Sequence, residues 1–120
     1  MAGLFSSTVT PTERRRAFRD GLNSGRIQRM PGAFSPLVAR AIQEAGFEGV
    51  YVSGAVVAAD LALPDIGLTT LSEVAHRSSQ IARVTDLPVL VDADTGFGEP
   101  MSAARTISEL EDAGVAGCHL

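Results

Sequence analysis

The chain has 120 residues, about one small domain by length, with 45% hydrophobic and 20% charged residues, an ordinary balance for a soluble globular protein. Its net charge of −4 argues against a nucleic-acid-binding surface. No apolar run approaches the roughly 18 residues a membrane helix needs, and all ten basic residues are arginine, so no lysine is present to form a Schiff base or carry protons.

In the opening stretch MAGLFSSTVTPTERRR the basic cluster follows the weakly apolar segment, an order that argues against a secretory signal. The single cysteine, Cys118, rules out an internal disulfide and fits a cytoplasmic location. Thr10-Pro11-Thr12-Glu13 reads as a helix start, with Thr10 as N-cap, Pro11 in the first turn and Glu13 closing a capping box. The helix is expected to run to about Leu22 and stop at Asn23-Ser24-Gly25, within an N-terminal helical extension over 1–25. Arg14, Arg15, Arg16 and Arg19 read as its solvated face.

Ile27–Met30 is expected to be a short strand ended by Pro31-Gly32. Pro36 opens a second helix whose Leu37, Val38, Ala41, Ile42 and Ala45 form one apolar stripe, with Gly46 as its C-terminal cap. Gly49–Gly54 reads as a buried strand, followed by a long connection over 55–69. Thr70-Leu71-Ser72-Glu73 is another capping box, opening a helix with Leu71, Val74, Ala75, Ser78 and Ala82 on one side. Asp86-Leu87-Pro88 breaks that helix, and a strand runs to Asp92. Pro100 starts a helix that turns Met101, Ala104, Ile107 and Leu110 inward and is capped near Gly114. A last strand covers Ala116–Leu120.

Continuous apolar strands separated by amphipathic helices imply a parallel sheet with helices outside and right-handed crossovers. Two α/β architectures fit: a doubly wound open sheet, or the first half of a (β/α)₈ TIM-type barrel. The last strand has no helix after it to cover it, and a barrel takes about 250 residues. The expectation is therefore that 1–120 are the N-terminal half of one barrel domain.

Asp92 and Asp94 stand two residues apart at the end of the apolar strand Val89–Asp92, where alternation points them to one face. Strand C-termini are where α/β folds place ligands. Two adjacent carboxylates repel unless a cation or a shared proton relieves them, and a hard divalent ion such as Mg²⁺ does so with oxygen ligands and several waters. The alternative is that Asp92 caps the turn amides and Asp94 caps the next helix. Gly96-Phe97-Gly98 is a poor phosphate loop, because the later glycine is missing and Glu99-Pro100 follows. Tyr51 and Ser53 share a face at the end of the second strand, and Ser53-Gly54 can form either a plain turn or a carboxylate-binding nest. Asp65 sits in the long connection, and His119 ends the last strand on the ligand side. Cys118 faces the other way and reads as packing, and His76 reads as solvated.

The stretches PGAFSPLVARAIQEAGFEGVYVSGA, LPDIGLTTLSEV, PVLVDADTGFGEP and AGVAGCHL together resemble the isocitrate lyase/phosphoenolpyruvate mutase superfamily, and within it the 2-methylisocitrate lyases. The resemblance runs from about Met30 to Leu120 and implies a (β/α)₈ barrel, usually a tetramer, with Mg²⁺ (or Mn²⁺) at the strand ends. It implies Asp92 and Asp94 on the metal, Asp65 in its outer shell, and Ser53, Gly54, Ala55 and His119 on a small tricarboxylate substrate. Tyr51 would lie beside the reacting carbons as the catalytic residue. The implied reaction cleaves 2-methylisocitrate to pyruvate and succinate in propionate catabolism. Other members (oxaloacetate decarboxylase, isocitrate lyase, phosphonopyruvate-type enzymes) share the aspartate motif, and a non-catalytic half-barrel is the further alternative. Ala55 stands where a glycine is common, and the family's Lys-x-Cys-Gly-His loop, which carries the proposed acid, does not occur in these residues.

Overall fold

The structure is a computed structural model that describes residues 6–120; residues 1–5 of the expected N-terminal extension lie outside the described residues. The first helix, α1, covers Pro11–Asn23 with Thr10 and Glu13 making the expected capping box. Its arginines do not form one solvated face. Arg14 is 4% exposed, and its guanidinium donates to Ser7 Oγ, Thr85 O and Gly114 O. Arg15 donates to the carbonyls of Val115 and Glu111, while Arg16 and Arg19 are exposed. Fixed, always-charged donors of this kind can satisfy several carbonyls at once, which lets a cation sit in a core.

The strand expected at Ile27–Met30 does not form; Ile27 is 86% exposed and Arg29 is engaged with Glu48 at 2.7 Å. Sheet pairing comes just after it. Gly32 bridges Tyr51 in parallel, with Tyr51 N donating to Pro31 O at 2.9 Å and Ala33 N donating to Tyr51 O at 2.8 Å. This pairing uses only the carbonyl of Pro31, so a residue read as a breaker is tolerated at the strand's start.

The second helix, α2, covers Pro36–Glu44, capped by Ser35, and Gly46 follows at φ 84. It buries Ala39 and Ile42 with Val38 partly covered, whereas Leu37 is 74% exposed and Ala41 and Ala45 face solvent. The inward face is thus rotated from the expected stripe. Strand β1 covers Val50–Val52, and α3 covers Gly54–Asp60 inside the expected connection. No sequence signal announced α3: Ser53 makes no side-chain cap, and Val56-Val57 are modest helix formers. Burial of Val57 and Ala58 holds it in place.

Helix α4, Leu71–Ala82, carries the Thr70–Glu73 capping box and buries Val74, Ser78, Ile81 and Ala82. Strand β2 covers Val89–Asp92, α5 covers Pro100–Asp112 and β3 covers Gly117–His119. In α5 the inward residues are Thr106 and Leu110, while Met101 is 82% exposed and Ala104 and Ile107 also face out.

The sheet order is β1-β2-β3, all parallel, with Tyr51 opposite Leu90, Val52 opposite Val91 and Asp92 opposite His119. Val50, Val52, Val89, Val91 and Ala93 are fully buried in one cluster with Ile42, Val74, Ile81, Leu110 and Val115. Tyr51, Leu90 and Asp92 alternate onto the opposite, less covered face. Sequential order with parallel crossovers is how a barrel grows; a doubly wound sheet reverses its order at a switch point.

Candidate functional site

The less covered face carries the polar groups at the C-terminal ends of β1, β2 and β3. Asp92 is the last residue of β2, and both its oxygens are aimed by main-chain amides: Oδ2 accepts from Gly54 N at 3.3 Å and Oδ1 from Asp94 N at 3.0 Å. The first bond crosses from β2 to the start of α3. It needs a residue without a side chain at position 54, because a Cβ there would lie 2.9 Å from Asp92 Oδ2.

Asp94 does not continue the strand. Its φ is +49, and the chain turns back with Gly96 N donating to Ala93 O at 2.8 Å. Strand alternation therefore does not carry Asp94; the turn does. Phe97 at φ 60 and Gly96 at φ 95 complete that turn, and Thr106 on α5 donates to Gly96 O at 2.7 Å. The N-cap of α5 is Glu99, so Asp94 does not cap that helix, while Asp92 does take a turn amide.

His119 sits opposite Asp92 in the register. Its Nε2 shares a 2.8 Å hydrogen bond with the Tyr51 hydroxyl, its ring stacks on Tyr51 at 5.8 Å between centroids, and its Nδ1 lies 4.0 Å from Asp92 Oδ1. The backbone reinforces this junction, with Ala93 N donating to His119 O at 3.0 Å. Burial raises the Tyr51 phenol above its ordinary value, and the charge of Asp92 adds to the effect, so the Tyr51 hydroxyl is neutral at physiological pH. Alternation had paired Tyr51 with Ser53, and His119 was expected only at the ligand-side end of its strand; the direct contact between Tyr51 and His119 was not anticipated, and only the sheet register could have shown it.

Ser53 and Gly54 lie beside Asp92, with Ala55 next in α3 and exposed. Asp65 lies on an exposed segment beyond α3. Among the described residues no three His, Cys, Asp or Glu side chains gather into a metal-holding group, so Asp65 does not join Asp92 and Asp94 directly. Cys118 faces the core, and burial raises its thiol. His76 is exposed and pairs with Gln80 on α4. Among the described residues, no helix is long and apolar enough to cross a membrane.

The profile of the phosphoenolpyruvate phosphomutase family matches residues 18–120. The chain is 88% identical over 120 residues to a probable 2-methylisocitrate lyase 2 of Corynebacterium glutamicum, matching 100% of the chain and 39% of that relative. It is 78% identical over 117 residues to a probable 2-methylisocitrate lyase 1 of the same organism, covering 98% of the chain and 38% of the relative. Among solved structures, a phosphonopyruvate hydrolase in complex with oxalate and Mg²⁺ superposes with a TM-score of 0.85 at 32% identity, over 92% of this chain and 38% of that one. The chain thus spans about two fifths of the length of the proteins it matches. Its three sequential parallel strands and the Gly32 bridge form roughly the first half of a (β/α)₈ barrel.

Proposed function

The chain belongs to the phosphoenolpyruvate phosphomutase family, and from that premise we propose that, in a completed barrel, it serves a Mg²⁺-dependent carbon–carbon lyase that cleaves 2-methylisocitrate to pyruvate and succinate. The observation that carries this reading is the Asp92 carboxylate, fixed at a strand end by two amides and flanked by the Tyr51–His119 pair. The 88% identity to a probable 2-methylisocitrate lyase favours that substrate within the family.

The donor set suits Mg²⁺. Asp92 and Asp94 offer oxygen ligands from a short turn, and the lone pairs of Asp92 not used by the amides stay free. A hard dication held by one or two carboxylates keeps several waters, and Asp65 would act through those waters. Bound there, Mg²⁺ stabilises negative charge that builds on the substrate's hydroxyl and carboxylate oxygens.

This chain's own residues position the substrate. Ser53 and the amide of Ala55 bind one carboxylate, with Gly54 between them, its own amide holding Asp92. His119, held by Tyr51, faces the tricarboxylate from β3. The neutral Tyr51 hydroxyl lies beside the reacting carbons. Cleavage removes the hydroxyl proton, breaks the bond to the succinate portion and leaves its electron pair on that carbon, which must then take up a proton. The donor of that proton belongs to the rest of the barrel, and the assembly is a tetramer.

The test uses a barrel completed with the remaining segment of the 88%-identical relative. Pyruvate release from 2-methylisocitrate is expected to stop in chelator and return with Mg²⁺ or Mn²⁺. Asp92→Asn is expected to abolish activity while the metal-free protein melts no lower, because carboxylate repulsion is relieved. A wild-type melt indifferent to Mg²⁺, with an active but less stable Asp92→Asn, overturns the metal reading and leaves Asp92 as a cap worth about 1 kcal/mol.

A further inference from the structure

The open face has a fourth contributor that the motifs did not single out. Gly32 is exposed, Ala33 is 1% exposed and Phe34 is 45% exposed. The same alternation runs through Tyr51, Val52 and Ser53 and through Leu90, Val91 and Asp92, where the middle residue is buried under the helices. Gly32 pairs with Tyr51 in parallel, and Tyr51 with Leu90. Two residues further along each segment come Phe34, in the bend before α2, Ser53, at the N-cap of α3, and Asp92, at the end of β2. Phe34 is thus a large, half-exposed apolar side chain that follows the bridged Gly32 and the buried Ala33.

Its main chain is also held. Arg77 on α4 donates to the Phe34 carbonyl, and the same guanidinium pairs with Asp60 at the end of α3 at 2.7 Å. One side chain thus ties the segment bearing Phe34 to the helix that begins beside Ser53.

We propose that Phe34 is a specificity-determining residue that forms the apolar wall of the site and favours substrates carrying a methyl group over their unmethylated analogues; the inference rests on the function proposed above. A polycarboxylate is polar on almost every side, so an aromatic wall gains nothing from it except where a methyl group is present. One added methyl in an apolar pocket changes kcat/KM by roughly 10–200-fold.

The completed barrel is assayed with 2-methylisocitrate and with isocitrate, as wild type, Phe34→Leu, Phe34→Tyr and Phe34→Ala. Wild type is expected to prefer the methylated substrate, Phe34→Leu to keep most of that preference, and Phe34→Ala to lose about tenfold of it, mainly through KM for the methylated substrate. Phe34→Tyr, which sets a hydroxyl at the wall's edge, is expected to lower the preference with the fold intact, and it decides the matter with Phe34→Leu if the alanine variant does not fold. A preference unchanged within about twofold in every folded variant overturns the role of Phe34 while leaving the lyase reading in place. A wild type that neither binds nor cleaves either substrate overturns the lyase reading, and the wall falls with it.

Discussion

Gly54 shows how one missing methyl group can set a site. Its place at the start of α3 lets its amide reach Asp92 Oδ2, and a Cβ would stand 2.9 Å from that oxygen and 3.3 Å from Cγ. Gly54→Ala should therefore push the carboxylate off its amide. Alanine suits a helix better than glycine, so global stability should stay within about 1 kcal/mol of wild type. Mg²⁺ affinity and turnover of the completed barrel should drop by about 10–100-fold, as for other residues that orient a metal ligand. Metal titration followed by calorimetry, alongside thermal melts, reads the two effects separately; unchanged metal affinity would reduce Gly54 to a turn residue.

At the scale of elements, the clearest device is the strap that binds the N-terminal segment to the entrance of β2. Asp86 accepts from Thr8 N at 2.6 Å, from Thr8 Oγ1 at 2.8 Å and from Ser7 Oγ at 2.9 Å, while Ser7 Oγ also accepts from the buried Arg14. Burial by itself would raise the Asp86 carboxyl, but these hydrogen bonds outweigh it and hold the group below its ordinary value. A depressed carboxylate stabilises the fold above its unfolded pKa, near 4, and loses that contribution as the pH falls through the folded value. Asp86→Asn should cost about 1–2 kcal/mol at neutral pH, and the gap between variant and wild type should close below about pH 4. Urea midpoints measured across that range check both, and a pH-independent gap would refute the charged strap.

The elements with local signatures were legible in the sequence: the capping boxes at Thr10 and Thr70 and the prolines at 36 and 100 located four helices. Position along a helix was less legible than existence, because only packing decides which side of an alanine-rich stripe turns inward, as α2 and α5 show. The short α3 and the buried Arg14 escaped for a related reason. Both are fixed by contacts far away in sequence, namely with Asp92 for the start of α3 and with Thr85 and Gly114 for Arg14. The site divides the same way: alternation paired Tyr51 with Ser53 and Asp92 with Asp94, and strand ends brought in His119, but the Tyr51–His119 hydrogen bond and the left-handed Asp94 depend on register and turn geometry.

For the whole molecule, the three-stranded sheet leaves the outer edge of β3 without a neighbouring strand among the described residues, and Leu120 beside it is 61% exposed. An unpaired parallel edge next to a half-covered face invites association. The 120 residues expressed alone should sediment as oligomers or aggregates and melt without cooperativity, whereas the completed barrel should melt sharply. A monomeric 120-residue chain with a cooperative melt would show that these strands need no further partners. The Asp86 strap and the Asp92 site lie at opposite ends of β2, a strand of four residues and therefore about 13 Å of sheet. Substitutions that far apart, with no shared partners, combine nearly additively. Robustness and selectivity can therefore drift independently in such a chain: gains at the strap can absorb the harm of novelties at the site, which leaves the lineage free to explore new substrates without first losing its shape.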